Sequence, residues 1–136
     1  MSRLLLDTSA YSAIFRKHQS ALDLIESTES LYLTPIVLGE LKAGFLLGKR
    51  GEENERTLQE FLRSPRVEVL TIDHETADRW SIIAAFLKKA GTPVASNDIW
   101  IAASAMQYGL PILTSDRDFQ KIPQVIVRHF SPASPS

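Results

Sequence analysis

Near its start the chain reads Leu4-Leu5-Leu6-Asp7-Thr8-Ser9, a short apolar run that stops at three residues favoured at helix N-termini. Such a run is typical of a buried strand that leads straight into a helix. Similar runs recur, and they alternate with segments whose apolar residues fall at helical spacing. We expect strands at residues 4–6, 31–33, 67–72, 110–114 and 125–127, and helices at 10–17, 21–26, 36–47, 74–89 and 99–106. This alternation predicts an α/β fold, a three-layer α/β/α domain with a central, mainly parallel sheet of about four or five strands.

The composition is that of a single domain. The 136 residues are 44% apolar and 23% charged, which suits one globular domain with an ordinary core. We expect this domain to cover residues 1–130. Residues 131–136, Ser-Pro-Ala-Ser-Pro-Ser, have the composition of a disordered tail.

Several classes of function are excluded by what the sequence lacks. It has no cysteine, which rules out disulfide frameworks, thiolate zinc sites and cysteine nucleophiles and fits a reducing cytoplasm. No run approaches the ~20 apolar residues that span a bilayer, and the first apolar run is too short for a signal-peptide core. We therefore expect a cytoplasmic protein without a membrane partner. The formal charge of −1 gives no argument, by itself, for a nucleic-acid partner.

Four acidic residues occupy unusual places in this pattern. Asp7 follows the first predicted strand and Asp116 follows the fourth, whereas Asp98 opens a strongly apolar helix. Glu40 lies inside another apolar helix, among neighbours that predict an inward-facing side chain. In open parallel sheets the functional crevice lies beyond the carboxyl ends of the strands. We therefore expect the four carboxylates to meet there, in a buried or core-rimmed site.

Each acid also has an ordinary structural interpretation. The two at helix starts suit N-caps or first-turn positions, and Asp116 suits a turn. Glu40 can reach the surface, or it can pair with Arg3 or Lys42. One shared site, however, accounts for all four acids at once.

A shared acidic site predicts a metal ion. Clustered carboxylates repel one another unless a cation is present, and hard oxygen ligands favour Mg²⁺ or Mn²⁺. Such ions, held by carboxylates, generally act on phosphates. With four of the 16 acids neutralised, the 15 basic residues outnumber the remaining acids. Clusters such as Arg16-Lys17-His18 and Lys88-Lys89 can then contact phosphates.

Four motifs carry a resemblance to a known family. They are Leu-Leu-Leu-Asp-Thr-Ser-Ala at 4–10, Val-Leu-Gly-Glu-Leu-Lys-Ala-Gly at 37–44, Asn-Asp-Ile-Trp-Ile-Ala-Ala-Ser-Ala at 97–105 and Gly-Leu-Pro-Ile-Leu-Thr-Ser-Asp-Arg-Asp-Phe at 109–119. In this order and spacing they resemble PIN-domain proteins, and more closely the VapC toxins of bacterial and archaeal type II toxin–antitoxin systems. The resemblance covers residues 4–128, nearly the whole chain.

The resemblance implies an activity and partners. It implies a Mg²⁺- or Mn²⁺-dependent endoribonuclease that cleaves RNA with a metal-activated water and so inhibits translation and growth. A VapB-like antitoxin would hold it inactive, and a homodimer is the common assembly. The RNA target is left open by the sequence.

The resemblance also implies roles for individual residues. By motif position the catalytic and metal-binding acids are Asp7, Glu40, Asp98 and Asp116. The auxiliary residues are Ser9 and Thr114, whose hydroxyls would help to order the site, and Asp118, which would substitute for or assist the fourth acid.

Other functions remain open on the sequence alone. A housekeeping PIN-type RNA-processing nuclease would use the same site, and a catalytically silent binding module would keep the fold. A phosphoacceptor domain needs a second acid after its first strand and a lysine after a late one, and Asp7-Thr8 and Val127-Arg128 supply neither.

The charged segment 49–63 is predicted to be a solvent-facing helix or hairpin arm that contacts an antitoxin or a second subunit. The aromatic residues at helical spacing predict core or interface packing rather than base stacking: Phe45, Phe61, Trp80, Phe86 and Trp100.

Overall fold

The computed structural model describes residues 2–131, so the predicted tail lies outside the described residues except for Ser131. The strands are β1 (Arg3–Leu6), β2 (Ser30–Leu33), β3 (Val67–Val69), β4 (Ile112–Thr114) and β5 (Val127–His129). The helices are α1 (Thr8–Phe15), α2 (Gln19–Glu26), α3 (Pro35–Leu47), α4 (Gly51–Leu62), α5 (His74–Ala90) and α6 (Ser96–Tyr108), with a 3-10 helix at Arg117–Lys121.

The strands form one sheet in the order β3-β2-β1-β4-β5, and every pairing is parallel. The predicted α/β/α architecture is thus confirmed. In the middle of the sheet Leu5 pairs with Ile112 and Leu6 with Leu113. These four side chains are fully buried, as expected where helices cover both faces of a parallel sheet. The register places the carboxyl ends of β1 and β4 side by side.

The first helix begins earlier than the sequence pattern predicts. Asp7 is its N-cap, and a carboxylate oxygen accepts a hydrogen bond of 2.8 Å from the backbone N–H of Ala10. The helix therefore starts at Thr8 rather than Ala10, because the cap follows the last strand residue without a connecting loop. This places the Asp7 side chain at the edge of the sheet.

The sixth helix is the buried one, as its composition predicts. Ile99 and the five consecutive residues 101–105 are all buried. Its N-cap is Ala95, so Asp98 lies in the first turn and not at the cap. An acid in the first turn complements the helix dipole. Trp100 of this helix packs on Trp80 of α5, with ring centroids 5.6 Å apart.

Three strands differ from their predicted bounds by two residues or more, and the fourth strand begins at Ile112 rather than at residue 110. The third ends at Val69 rather than at residue 72, because the chain turns away to reach Asp73, which caps α5 by accepting from the N–H groups of Glu75 and Thr76. The last runs from Val127 to His129 rather than over 125–127, since Val127 pairs with Ile112 and Val125 donates instead to the carbonyl of Ile122.

The charged segment forms helix α4 and is not wholly solvent-facing. Leu58 is fully buried, and the ring of Phe61 meets that of Tyr11 edge to face at 5.2 Å. Phe86 is 40% exposed on α5 and so is not a core residue, and interface packing stays a prediction for it. None of the helices within the described residues has the length and hydropathy needed to cross a bilayer.

Candidate active site

A cleft of about 580 Å³ lies beyond the carboxyl ends of β1 and β4. The structure brings all four predicted acids together in its lining: Asp7, Glu40, Asp98 and Asp116. They come from the end of β1, from α3, from the first turn of α6 and from the turn after β4. Elements far apart in the sequence thus deliver their carboxylates to one place, because parallel strands end at the same edge of the sheet.

Asp7 is the most firmly held of the four. Its side chain is buried, and one oxygen, Oδ1, accepts hydrogen bonds from Ser9 Oγ at 2.7 Å and from Ala10 N at 2.8 Å. The other oxygen, Oδ2, accepts a short hydrogen bond from the Thr114 hydroxyl. Burial raises the pKa of Asp7, and these hydrogen bonds oppose that rise because they stabilise the charged carboxylate.

The two predicted hydroxyl residues join the turn after β4 to this carboxylate. Ser9 Oγ accepts from the backbone N–H of Ser115 at 3.0 Å, and Thr114 Oγ1 accepts from the N–H of Asp116 at 2.9 Å. Each hydroxyl therefore donates to Asp7 and accepts from the backbone of the turn. Asp7 and Asp116 are fixed relative to each other through this pair of bridges.

Asp98 experiences the negative charge of the other acids most strongly. Partial burial raises its pKa, and the charges of Asp116, Asp7 and Glu40 raise it further, to about 7. A carboxyl group that is half protonated near neutral pH lies in a site with uncompensated negative charge. A bound cation would supply the missing positive charge.

Asp118 reaches the same place from the 3-10 helix. Its N–H donates to Asp116 at 2.9 Å, and carboxylate oxygens of Asp98, Asp116 and Asp118 lie within 4.8 Å of one another. Three oxygens at this spacing suit a hard divalent ion, so the donor set fits Mg²⁺ or Mn²⁺. Asp118 also forms an ion pair of 2.8 Å with Lys121.

The prediction that Glu40 faces inward from α3 is wrong, although the residue does line the cleft. Its side chain is exposed at the solvent side of the cleft, because Val37 and Leu41 occupy the core-facing positions of α3 and Glu40 lies beside that face. Pairing with a nearby lysine is wrong as well, since Lys42 bonds Glu55 at 2.9 Å.

Two further polar residues of the cleft hold Glu40. The hydroxyl of Thr8 donates to Glu40 Oε1 at 2.7 Å, and the Asn97 amide donates to Oε2 at 3.4 Å. Neither residue stands out in the sequence analysis, where Thr8 is only part of a capping stretch. The available signal was adjacency, since Thr8 follows Asp7 and Asn97 precedes Asp98.

Comparison with known proteins identifies the family. The family model of the PIN domain matches residues 4–125, a range that contains all four acids. The chain belongs to the PIN-domain family. This PIN-domain chain is 37% identical over 92 residues to Ribonuclease VapC4 of Mycobacterium tuberculosis, covering 68% of the chain and 71% of that protein. It is 32% identical over 114 residues to Ribonuclease VapC5 of the same organism, covering 84% and 83%.

A solved structure extends the likeness to the whole PIN domain. The structure of DNA-bound VapBC from Salmonella typhimurium matches with a TM-score of 0.83 and 30% identity, covering 95% of this chain and 98% of that one. The resemblance to PIN-domain proteins, and to VapC proteins among them, is therefore confirmed. The names of these relatives describe the activities of the relatives themselves.

Proposed function

We propose that this PIN-domain chain is an endoribonuclease and the toxin of a VapBC-type pair, which cleaves RNA and so inhibits translation and growth. The observation that carries the proposal is the meeting of four carboxylates in one cleft, where burial and the charges of the other three acids together raise the pKa of Asp98 to about 7. A site of this kind repels a phosphodiester until a cation is bound. The names of the VapC relatives support RNA as the substrate.

The residues present fit a divalent ion, Mg²⁺ or Mn²⁺. Asp98 and Asp116 would be its principal ligands, with Asp118 as a third ligand. Asp7 retains acceptor capacity on Oδ2, since that oxygen accepts one hydrogen bond and Oδ1 accepts two. Bound there, such an ion lowers the pKa of a water molecule and stabilises negative charge on a phosphate.

The chain's own groups would orient and deprotonate the reactants. Glu40 lies at the exposed side of the cleft with its carboxylate fixed by Thr8, so it is the acid placed to accept a proton from an entering water molecule. Asn97 lines the same cleft and offers an amide to the substrate or to Glu40. Ser9 and Thr114 would stabilise the ionised form of Asp7 and hold its side chain in place.

We further propose a VapB-like antitoxin and a homodimer as the assembly, in the cytoplasm. The end of α3 leaves Leu46 and Leu47 87% and 90% exposed. Large apolar side chains this exposed and adjacent favour a protein partner that covers them. A groove between α3 and α4 begins beside them, so the charged segment 49–63 would take part in that contact.

The experiment is cleavage of total RNA by the purified chain, free of antitoxin. It is run with Mg²⁺ or Mn²⁺, with EDTA, and with the variants Asp7→Asn and Asp98→Asn. Asp78→Asn, an exposed acid of α5, is the matched control. We expect discrete fragments that need metal, disappear in both site variants and persist in the control. Fragments that survive in the site variants would place the chemistry elsewhere.

The same preparation separates the alternatives. A toxin stops growth when it is expressed alone and is neutralised by an antitoxin encoded beside it, whereas a housekeeping nuclease cleaves RNA without either property. A silent binding module binds Mn²⁺ and cleaves no RNA in the assay.

A further inference from the structure

His129 lies at the end of the edge strand β5, outside the set of residues that line the acidic cleft. Its Nε2 atom is 3.2 Å from the carbonyl oxygen of Ser115. A carbonyl oxygen only accepts hydrogen bonds, so Nε2 must carry the proton in this contact. The imidazole is half-buried there, which limits competition from water.

The peptide that His129 contacts is the one that precedes Asp116. Its carbonyl belongs to Ser115 and its N–H to Asp116, and that N–H donates to Thr114 Oγ1 at 2.9 Å. The imidazole thus holds one end of the peptide plane and the threonine hydroxyl holds the other. Because Asp116 is attached directly to this plane, the direction of its carboxylate depends on both contacts.

The backbone pairing of β4 with β5 ends at Thr114, before this peptide. Thr114 pairs with His129 in the parallel register, and the N–H of Phe130 donates to the Thr114 carbonyl at 3.0 Å. Ser115 lies beyond the end of β4, and its carbonyl accepts from the side chain of His129. The imidazole therefore joins the end of β5 to the peptide that leads into the cleft.

We propose that His129 is a positioning residue for the acidic site, which acts by fixing the Ser115–Asp116 peptide. This inference rests on the proposed function, because that proposal is the source of the divalent ion that the acidic site would bind. Residues that orient metal ligands typically contribute 10- to 100-fold to affinity. His129 acts through one intervening peptide, so we expect an effect at the lower end, about tenfold.

The test compares Mn²⁺ affinity by titration calorimetry for the variants His129→Leu and His129→Gln, with His74→Leu as the matched control. His74 is exposed at the start of α5 and does not line the cleft. Leucine cannot donate, and we expect about tenfold weaker binding. The glutamine amide can donate to the same carbonyl, so affinity should return to within about twofold of the wild type. An unchanged leucine variant, or a glutamine variant as weak as leucine, would overturn the proposal.

A second measurement reads the wild-type chain directly and needs no RNA to be cleaved. Side-chain ¹⁵N spectra of the EDTA-treated wild-type chain at pH 8 report which imidazole nitrogen of each neutral histidine carries the proton. His129→Gln assigns the signal. We expect the proton on Nε2, and a proton on Nδ1 would overturn the proposal. Because metal binding and tautomer are read without nuclease activity, failure of the proposed cleavage is distinguishable from failure of the positioning role.

Discussion

Asp98 and Asp116 lie on different elements, yet carboxylate oxygens of the two approach within 4.8 Å, and after burial the charge of Asp116 is the largest cause of the raised pKa of Asp98. One acid comes from the first turn of α6 and the other from the turn after β4. Their proximity is unfavourable for the fold when both are ionised. The pair therefore links protonation, metal binding and stability.

The first prediction concerns proton release on metal binding. The pKa of Asp98 is about 7 before a cation enters, so at pH 6 most chains carry a proton that the ion must displace. Mn²⁺ affinity should fall as the pH drops below about 7, with about one proton released at pH 6 and almost none at pH 8.5. Calorimetry in buffers of different ionisation enthalpy measures this number. Equal proton release at both pH values would contradict the shifted pKa.

The second prediction concerns the stability of the EDTA-treated chain. The folded-state pKa of Asp98 is raised from 3.8, so its contribution to stability is fully present below about pH 4 and is lost as the pH rises through about 7. Asp98→Asn removes this loss. We expect the variant to have a Tm a few degrees above the wild type at pH 8 and no such gain at pH 4, measured by circular dichroism. The control Asp78→Asn should differ from the wild type in Tm by the same amount at both pH values. The same result for Asp98→Asn would argue against an unfavourable charge on Asp98 in the folded chain.

The third prediction concerns Thr114, whose hydroxyl donates to Asp7 and accepts from the N–H of Asp116. Thr114→Val keeps the shape but leaves that N–H and one carboxylate oxygen without this partner. We expect a loss of about 1–3 kcal/mol in the free energy of unfolding and a 10- to 100-fold lower kcat on a defined RNA fragment. Thr57→Val, on α4 and outside the acidic cleft, is the control. Wild-type kcat in Thr114→Val would show that the bridge has no role in activity.

The fourth prediction concerns the ends of the cleaved RNA. Attack by water leaves a 5′-phosphate and a 3′-hydroxyl and does not need the ribose 2′-hydroxyl. A substrate with a 2′-deoxy residue before the cleaved bond should still be cut, and end labelling should detect the 5′-phosphate. A 2′,3′-cyclic phosphate would mean that the ribose hydroxyl is the nucleophile.

The sequence pattern predicts much of this molecule because strand ends and helix starts are local properties. Asp7 and Asp116 come just after two predicted strands, so parallel topology places both at the same end of the sheet. The orientation of Glu40 could not be read in this way. Its neighbours in the sequence are apolar, yet one residue step along α3 turns a side chain by about 100° around the helix axis. A residue beside Leu41 can therefore lie off the face that packs in the core.

The contacts that hold the acidic residues in place could not be predicted from the sequence either. The bridge from His129 to Ser115 depends on the register of β4 with β5, and the pattern places β5 two residues too early. A shift of this size changes which side chain stands beside Ser115. Similarly, Asn97 reaches Glu40 only because the first turn of α6 faces α3 across the cleft.

The double use of the Asp7 carboxylate constrains how this chain can lose its activity. The carboxylate caps α1 and belongs to the acidic site, so alanine there removes a cap worth about 0.5–2 kcal/mol as well as a candidate ligand. Asparagine caps a helix as well as aspartate does, but it removes the charge and puts an NH₂ group, which cannot accept from Thr114, in place of one oxygen. If the chain is a toxin, Asp7→Asn would yield a folded decoy that still sequesters antitoxin. A cell that produced this inactive variant beside the wild-type toxin would then have less antitoxin left to inhibit the wild-type molecules.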